Sequence, residues 1–138
     1  MTVLAFTDGA SRGNPGESGI GIVLKDIKGR KISTTFGYIG KGTNNVAEYK
    51  ALIACLSLVE KIDCDHLIVH SDSELLVRQM KGEYKIKDAV LKTYAHRVRT
   101  KLGKAPFRFE IKHVLREQNK EADELANLGI DSKTPVRF

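Results

Sequence analysis

The chain has 138 residues, 41% of them hydrophobic and 29% charged, which predicts one globular domain with a core that needs no disulfide staples. Its formal net charge of +6 favours polyanionic partners. No apolar run approaches the about 20 residues that a membrane span needs, and the first residues lack a signal-peptide pattern, so we expect a cytoplasmic protein without a membrane partner.

The hydrophobic pattern predicts five strands and four helices in the order βββαβααβα. The predicted strands cover residues 2–8, 20–26, 31–38, 66–72 and 107–114. The predicted helices cover residues 43–62, 73–80, 88–102 and 120–130. Residues 1–138 then form one α/β domain on a mixed sheet, and residues 131–138 are predicted to be a tail.

Connection lengths and apolar faces predict how the strands pair. Short connections join the first three strands, which indicates an antiparallel meander. The first strand is apolar on both faces, so it is expected in the middle of the sheet. The helix between the third and fourth strands predicts a right-handed crossover that places the fourth strand parallel to the first. The last strand alternates cleanly and is expected at an edge.

Four carboxylates stand where two strands end and two helices begin. Asp8 and Asp72 end the first and fourth strands, whereas Glu48 and Asp123 lie in the first turns of two helices. Alone, Asp8 reads as a turn residue, and Asp123 as an acid that favours a helix N-terminus. Together they form an oxygen-only set that would select Mg²⁺ or Mn²⁺.

Other catalytic or metal-binding patterns are absent from the sequence. The two cysteines, Cys55 and Cys64, have neither CxxC nor Cys/His zinc spacing, so reduced thiols are expected. The four histidines also lack metal spacing, and no Ser-His-Asp or Cys-His arrangement has supporting context. The four carboxylates therefore favour metal-assisted phosphoryl chemistry.

Four segments resemble the successive motifs of type 1 ribonuclease H, in that family's order and spacing. They are TDGASRGNPG (7–16), TNNVAE (43–48), HSDSELLVRQ (70–79) and NKEADELAN (119–127). The resemblance implies a sheet of order 3-2-1-4-5 with an antiparallel second strand and helices on both faces. It also implies an endonuclease that cuts the RNA strand of RNA–DNA hybrids and leaves 5′-phosphate and 3′-hydroxyl ends.

The resemblance also implies a role for each of the four carboxylates. Asp8, Glu48, Asp72 and Asp123 match a set that holds two Mg²⁺ ions, with Mn²⁺ as a possible substitute. Asp8 would bridge the two ions, and Asp123 would complete the site of the ion that activates the attacking water. Glu48 and Asp72 would support the ion that stabilises the leaving 3′ oxygen.

Five further positions match substrate contacts of the family. Gly13, Asn14 and Asn45 resemble positions that touch the RNA strand, including the 2′-hydroxyl groups that distinguish RNA from DNA. Thr43 and Asn44 resemble positions near the DNA strand, and Thr43 resembles part of a phosphate pocket.

The chain departs from many members of the family in two places. The loop VLREQN before the last helix is short and lacks their proton-transfer histidine, so Arg116 or Glu117 is a candidate substitute in proton transfer or product release. The chain also lacks the basic protrusion that some members insert. Residues 81–104 instead carry eight basic and two acidic side chains, which is either a solvated helix face or a contact for the hybrid.

Two other functions fit the same sequence. One is a catalytically silent nucleic-acid-binding domain, although an inactive relative would be expected to lose one of the four acids. The other is an enzyme of the same fold that acts on double-stranded RNA or DNA. Neither needs a protein partner, and a monomer is expected.

Overall fold

The computed structural model describes residues 1–136, and every structural statement below refers to them. The strands are β1 (Thr2–Arg12), β2 (Gly16–Lys25), β3 (Lys31–Gly42), β4 (His66–Ser71) and β5 (Arg108–His113). The helices are α1 (Asn44–Val59), α2 (Glu74–Met80), α3 (Ala89–Lys104) and α4 (Lys120–Ser132), and a 3₁₀ turn covers Arg116–Gln118. None of the described helices is long and apolar enough to cross a membrane.

The five strands form one mixed sheet in the order β3-β2-β1-β4-β5. β2 is antiparallel to both of its neighbours, whereas β4 is parallel to β1 and β5 is parallel to β4. The predicted α/β class, element order and sheet order are confirmed.

Helices cover both faces of the sheet, as predicted. On one face α1 packs against β1 and β2, and α3 packs against α1. The alternating residues Ile20, Ile22 and Leu24 of β2 are fully buried in the core on this side. On the other face α4 lies against Gly19 and Gly21, where an added Cβ would overlap the backbone of α4. Alternation of large residues and glycine along β2 thus lets helices lie on both sides.

The first strand is longer than predicted. β1 continues past Asp8 to Arg12, because it remains paired with β2 from Asp8 opposite Gly21 to Arg12 opposite Glu17. The turn is confined to the residues after Arg12, where Gly13 has a φ of 86° that favours glycine. The parallel pairing with β4 ends earlier, at Thr7. Asp8 is therefore paired with β2 on one side. On the other side it comes directly after Thr7, the last residue of β1 that pairs with β4.

β1 lies in the middle of the sheet, as predicted, but only one of its two apolar faces is fully covered. Val3 and Ala5 are inaccessible to solvent, whereas Leu4 and Phe6 are half-buried. α4 packs mainly against β2, β3 and β1. The ring of Phe6 instead stacks on His70 of β4, with 4.5 Å between ring centroids.

The predicted tail is partly wrong as well. Residues 131–132 belong to α4, and the chain then turns back along β3. The Tyr38 amide donates to the Thr134 carbonyl at 2.6 Å, and Pro135 forms a bridge with Tyr38. Val136 packs beside the hydrophobic core. Residues up to 136 therefore form part of the domain, and residues 137–138 lie outside the described range.

Candidate metal centre

Three of the four predicted carboxylates meet at one point. One oxygen from each of Asp8, Glu48 and Asp72 lies within 4.8 Å of the others. Asp72 follows directly after β4, and Asp8 follows the last residue of β1 that pairs with β4. The two strand positions are neighbours because the strands are parallel, and the cluster forms at their carboxyl ends.

Glu48 reaches the cluster because Gly9 allows α1 to approach β1. An added Cβ at Gly9 would overlap the backbone of Ala47 and Glu48. The Gly9 amide donates to Glu48 Oε1 at 2.8 Å in a buried hydrogen bond. At the start of the helix, the Thr43 hydroxyl accepts from the Val46 amide at 3.2 Å and caps α1. The glycine after Asp8 thus positions the second carboxylate of the cluster.

Asp123 lies beside the cluster on the opposite side of the sheet. It is in the first turn of α4, it lines the same cavity as Asp8, and it helps to raise the pKa of Asp8. Asn127 holds this turn, because its Nδ2 donates to the Asp123 carbonyl at 3.0 Å and to Oδ1 at 3.3 Å. The structure therefore brings all four predicted acids together, with Asp8 between the α1 side and the α4 side.

Burial and mutual repulsion keep protons on this cluster. Asp8 is 5% exposed, and burial, followed by repulsion from Glu48 and Asp72, raises its pKa to about 10. Glu48 is 8% exposed, and burial and the charge of Asp72 raise its pKa to about 8 against the opposing Gly9 hydrogen bond. A cation would relieve the repulsion, and the donors are all oxygens. The residues therefore fit a hard divalent metal such as Mg²⁺ or Mn²⁺.

An open cavity of about 680 Å³ surrounds the carboxylates. Arg116 and Glu117 line it, and the positive charge of Arg116 lowers the pKa of Glu48. Ser73 and Lys120 also line the cavity, although the sequence did not single them out as site residues. Lys120 lies three positions before Asp123 on a helix, and that spacing was the available signal for its place in the site.

The five predicted substrate residues lie around one hydrogen-bonded junction at the edge of this cavity. Asn44 and Asn45 line the cavity, whereas Gly13, Asn14 and Thr43 do not. The Asn44 amide donates to Asn14 Oδ1 at 3.1 Å, and Asn44 Oδ1 accepts from the Ser11 amide at 2.9 Å. These bonds join the β1–β2 turn to the start of α1, so the five residues share one surface.

The basic segment 81–104 lies mostly on α3 and the loop before it. Lys92, Arg97 and Arg99 are exposed on the helix. The half-buried ring of Tyr94 lies under the cations of Lys50, at 5.8 Å, and Arg97, at 5.2 Å. Exposure fits both a solvated face and a phosphate contact, so both interpretations of the segment stay open.

Several known proteins resemble this chain in sequence and in structure. A family model described as reverse transcriptase-like matches residues 6–129. A curated ribonuclease HI of Halobacterium salinarum is 39% identical over 129 residues, which is 94% of this chain and 64% of that protein. The solved ribonuclease H1 of the same archaeon is 38% identical, with a TM-score of 0.91 over 96% of this chain and 99% of that one.

A second similar structure contains a bound nucleic acid. LC11 ribonuclease H1 in complex with an RNA/DNA hybrid is 41% identical, with a TM-score of 0.90 over 94% of this chain and 97% of that one. This chain spans 64% of the Halobacterium protein and 36% of a bifunctional Mycobacterium tuberculosis protein, so both of these curated relatives are longer than this chain.

Proposed function

Since the chain belongs to the type 1 ribonuclease H family, we propose that it is an endonuclease that hydrolyses the RNA strand of RNA–DNA hybrids and leaves 5′-phosphate and 3′-hydroxyl ends. The observation that carries this proposal is the meeting of Asp8, Glu48 and Asp72 beside Asp123 in an open cavity. The similarity to a ribonuclease H1 bound to an RNA/DNA hybrid supports the choice of substrate.

The four acids would hold two Mg²⁺ ions, with Mn²⁺ as a possible substitute. When bound, such ions activate a water molecule and stabilise the leaving 3′ oxygen. Asp8 would be the ligand common to both ions, because Glu48, Asp72 and Asp123 all lie close enough to raise its pKa. Loading of the site removes the protons that Asp8 and Glu48 hold in the metal-free protein, so metal affinity rises with pH.

The junction between the β1–β2 turn and α1 would bind the hybrid. We assign Gly13, Asn14 and Asn45 to the RNA strand, where a 2′-hydroxyl is the group to be recognised. We assign Thr43 and Asn44 to the DNA strand. Hybrid binding here is supported by the hydrogen bonds that join the turn to the start of α1 next to the carboxylates, and the division between the strands follows the resemblance to the family.

Arg116 or Glu117 would assist proton transfer or product release. Both line the cavity, and Arg116 acts electrostatically on Glu48. The variants Arg116→Ala and Glu117→Gln separate the two assignments, because only the residue in use lowers the turnover number when it is changed. Turnover that stays at the wild-type value in Arg116→Ala would remove Arg116.

A cleavage assay with a labelled RNA–DNA hybrid tests the proposal. The wild type is expected to cut with Mg²⁺ or Mn²⁺ and to stop with EDTA, and Asp8→Asn is expected not to cut. Asp63→Asn, which changes an exposed acid outside the cavity, is the matched control. Hybrid binding without cleavage by the wild type would favour a silent binding domain. Faster cutting of double-stranded RNA or DNA would favour the alternative enzyme.

We also propose that the protein acts as a monomer in the cytoplasm. One chain supplies all four carboxylates, so the proposed chemistry needs no second subunit. Cys55 and Cys64 are free thiols, which suits a reducing compartment.

A further inference from the structure

Asn119 stands at the start of α4 but does not cap it. Asparagine at an N-cap ordinarily accepts a hydrogen bond from an amide in the first turn of the helix. Here the Asn119 side chain makes no such bond, and the residue is 2% exposed. A polar side chain this deeply buried needs a partner elsewhere.

The partner of Asn119 is the backbone of β1. Asn119 Nδ2 donates to the Thr7 carbonyl at 2.9 Å in a buried hydrogen bond. Thr7 is the last residue of β1 that pairs with β4, so the side chain binds where the parallel ladder stops. Asn119 Oδ1 is buried without a partner among the described residues. Because the side chain is turned towards β1, it does not cap α4, and its oxygen has no partner among the described residues.

This contact joins the backbones that carry two of the carboxylates. Asp8 follows Thr7 directly in the chain, and the Asp123 amide donates to the Asn119 carbonyl at 3.1 Å. Asn119 therefore links the strand position beside Asp8 to the helical turn that holds Asp123. A second, exposed side-chain link between β1 and α4 lies further along the helix, where Arg12 pairs with Asp131 and its Nη2 donates to Asn127 Oδ1 at 3.3 Å.

We propose that Asn119 is a positioning residue that sets the distance between Asp8 and Asp123 and thereby the affinity of the centre for divalent cations. Asp8, Glu48 and Asp72 form a compact group from the core side of the sheet, whereas Asp123 depends on where the first turn of α4 lies. The inference rests on the proposed function, because the cations are those of the proposed metal centre.

The variant Asn119→Ser separates positioning from stability. Serine is a good N-cap, so α4 keeps its start, but its shorter side chain cannot reach the Thr7 carbonyl. Asn119→Ala removes the contact and offers no cap in its place. Asp131→Asn is the matched control, because it breaks the Arg12–Asp131 pair at the far end of the helix and leaves the contacts of Asn127 with Asp123 in place. Only the Asn119 variants alter the link beside Asp8 and Asp123.

The measurement is calorimetric titration of the folded, substrate-free protein with MnCl₂, with the melting temperature recorded in EDTA. We expect Asn119→Ser to bind Mn²⁺ at least about tenfold more weakly than the wild type at an unchanged melting temperature, and Asp131→Asn to bind it as the wild type does. In the cleavage assay, Asn119→Ser should need more metal for half-maximal rate at an unchanged KM for the hybrid.

The affinity for Mn²⁺ and the melting temperature together distinguish a positioning role of Asn119 from a purely structural one. Wild-type affinity for Mn²⁺ in Asn119→Ser and Asn119→Ala would overturn the inference, as would an equal loss of affinity in Asp131→Asn. A lower melting temperature with unchanged affinity would show that Asn119 serves the fold alone, which also overturns it. A wild-type protein that binds no Mn²⁺ and does not cut the hybrid would contradict the proposed function itself.

Discussion

Replacing Asp8 by asparagine is expected to stabilise the metal-free protein while it abolishes cleavage. The pKa of Asp8 is raised from an ordinary 3.8 to about 10, and that of Glu48 from 4.5 to about 8. The folded protein therefore keeps protons that the unfolded chain releases above pH 4 to 5. Stability from this source is fully present below the unfolded pKa values and is lost as the pH rises towards the folded ones.

The size of the effect follows from the number of protons retained. One retained proton lowers the free energy of unfolding by about 1.4 kcal/mol per pH unit, or about 3 kcal/mol between pH 6 and pH 8. For a domain of this size the melting temperature should fall by roughly 10 °C over that interval. Asp8→Asn removes the most strongly shifted carboxyl, so its melting temperature should fall less and should exceed that of the wild type at pH 8.

Thermal unfolding followed by circular dichroism in EDTA at pH 6, 7 and 8 measures this difference. Saturating Mg²⁺ should flatten the wild-type curve, because the cation replaces the protons on the cluster. Asp63→Asn should follow the wild-type curve. Parallel curves for the wild type and Asp8→Asn would refute the reasoning, because the buried cluster would then not be the source of the pH dependence.

Three further predictions concern the supports of the site and the basic segment. Thr43→Ala loses the cap of α1 and should lower the free energy of unfolding by about 1 kcal/mol, measured by urea denaturation. Gly21→Ala places a Cβ against the α4 backbone and should cost about 1–3 kcal/mol in the same assay, whereas Gly103→Ala in open space should not destabilise. If α3 binds the hybrid, Arg97→Glu with Arg99→Glu should raise KM and flatten the log–log salt dependence by about two units. An unchanged KM and salt slope would identify a solvated face.

The topology could be predicted from the sequence because the hydrophobic pattern distinguishes the strands from the helices. Strands with apolar faces alternate with helices that have a buried side, and short connections restrict how they pair. The positions of Asp8 and Asp72 followed from the same pattern, since a polar residue after an apolar strand is visible without coordinates. The proximity of Asp8 to Asp72 then followed from the parallel pairing of two strands, whereas Glu48 and Asp123 joined the set through the resemblance to the family.

The features that were not predicted depend on contacts that produce no periodic pattern in the sequence. The extension of β1 to Arg12 rests on pairing with β2 through polar and glycine residues, which resemble a loop in sequence. The inward turn of Asn119 depends on where α4 lies over β1, and an N-cap position alone does not reveal it. The place of residues 134–136 beside β3 likewise requires the finished sheet.

The position of α4 late in the chain has a consequence for synthesis. A nascent chain that has passed β5 already carries Asp8, Glu48 and Asp72, but the fourth carboxylate is still missing. The complete cluster exists only after α4 has left the ribosome and closed over the glycines of β2. Assembly of the cluster therefore waits for α4, and a nascent chain that ends after β5 lacks the complete set of acids.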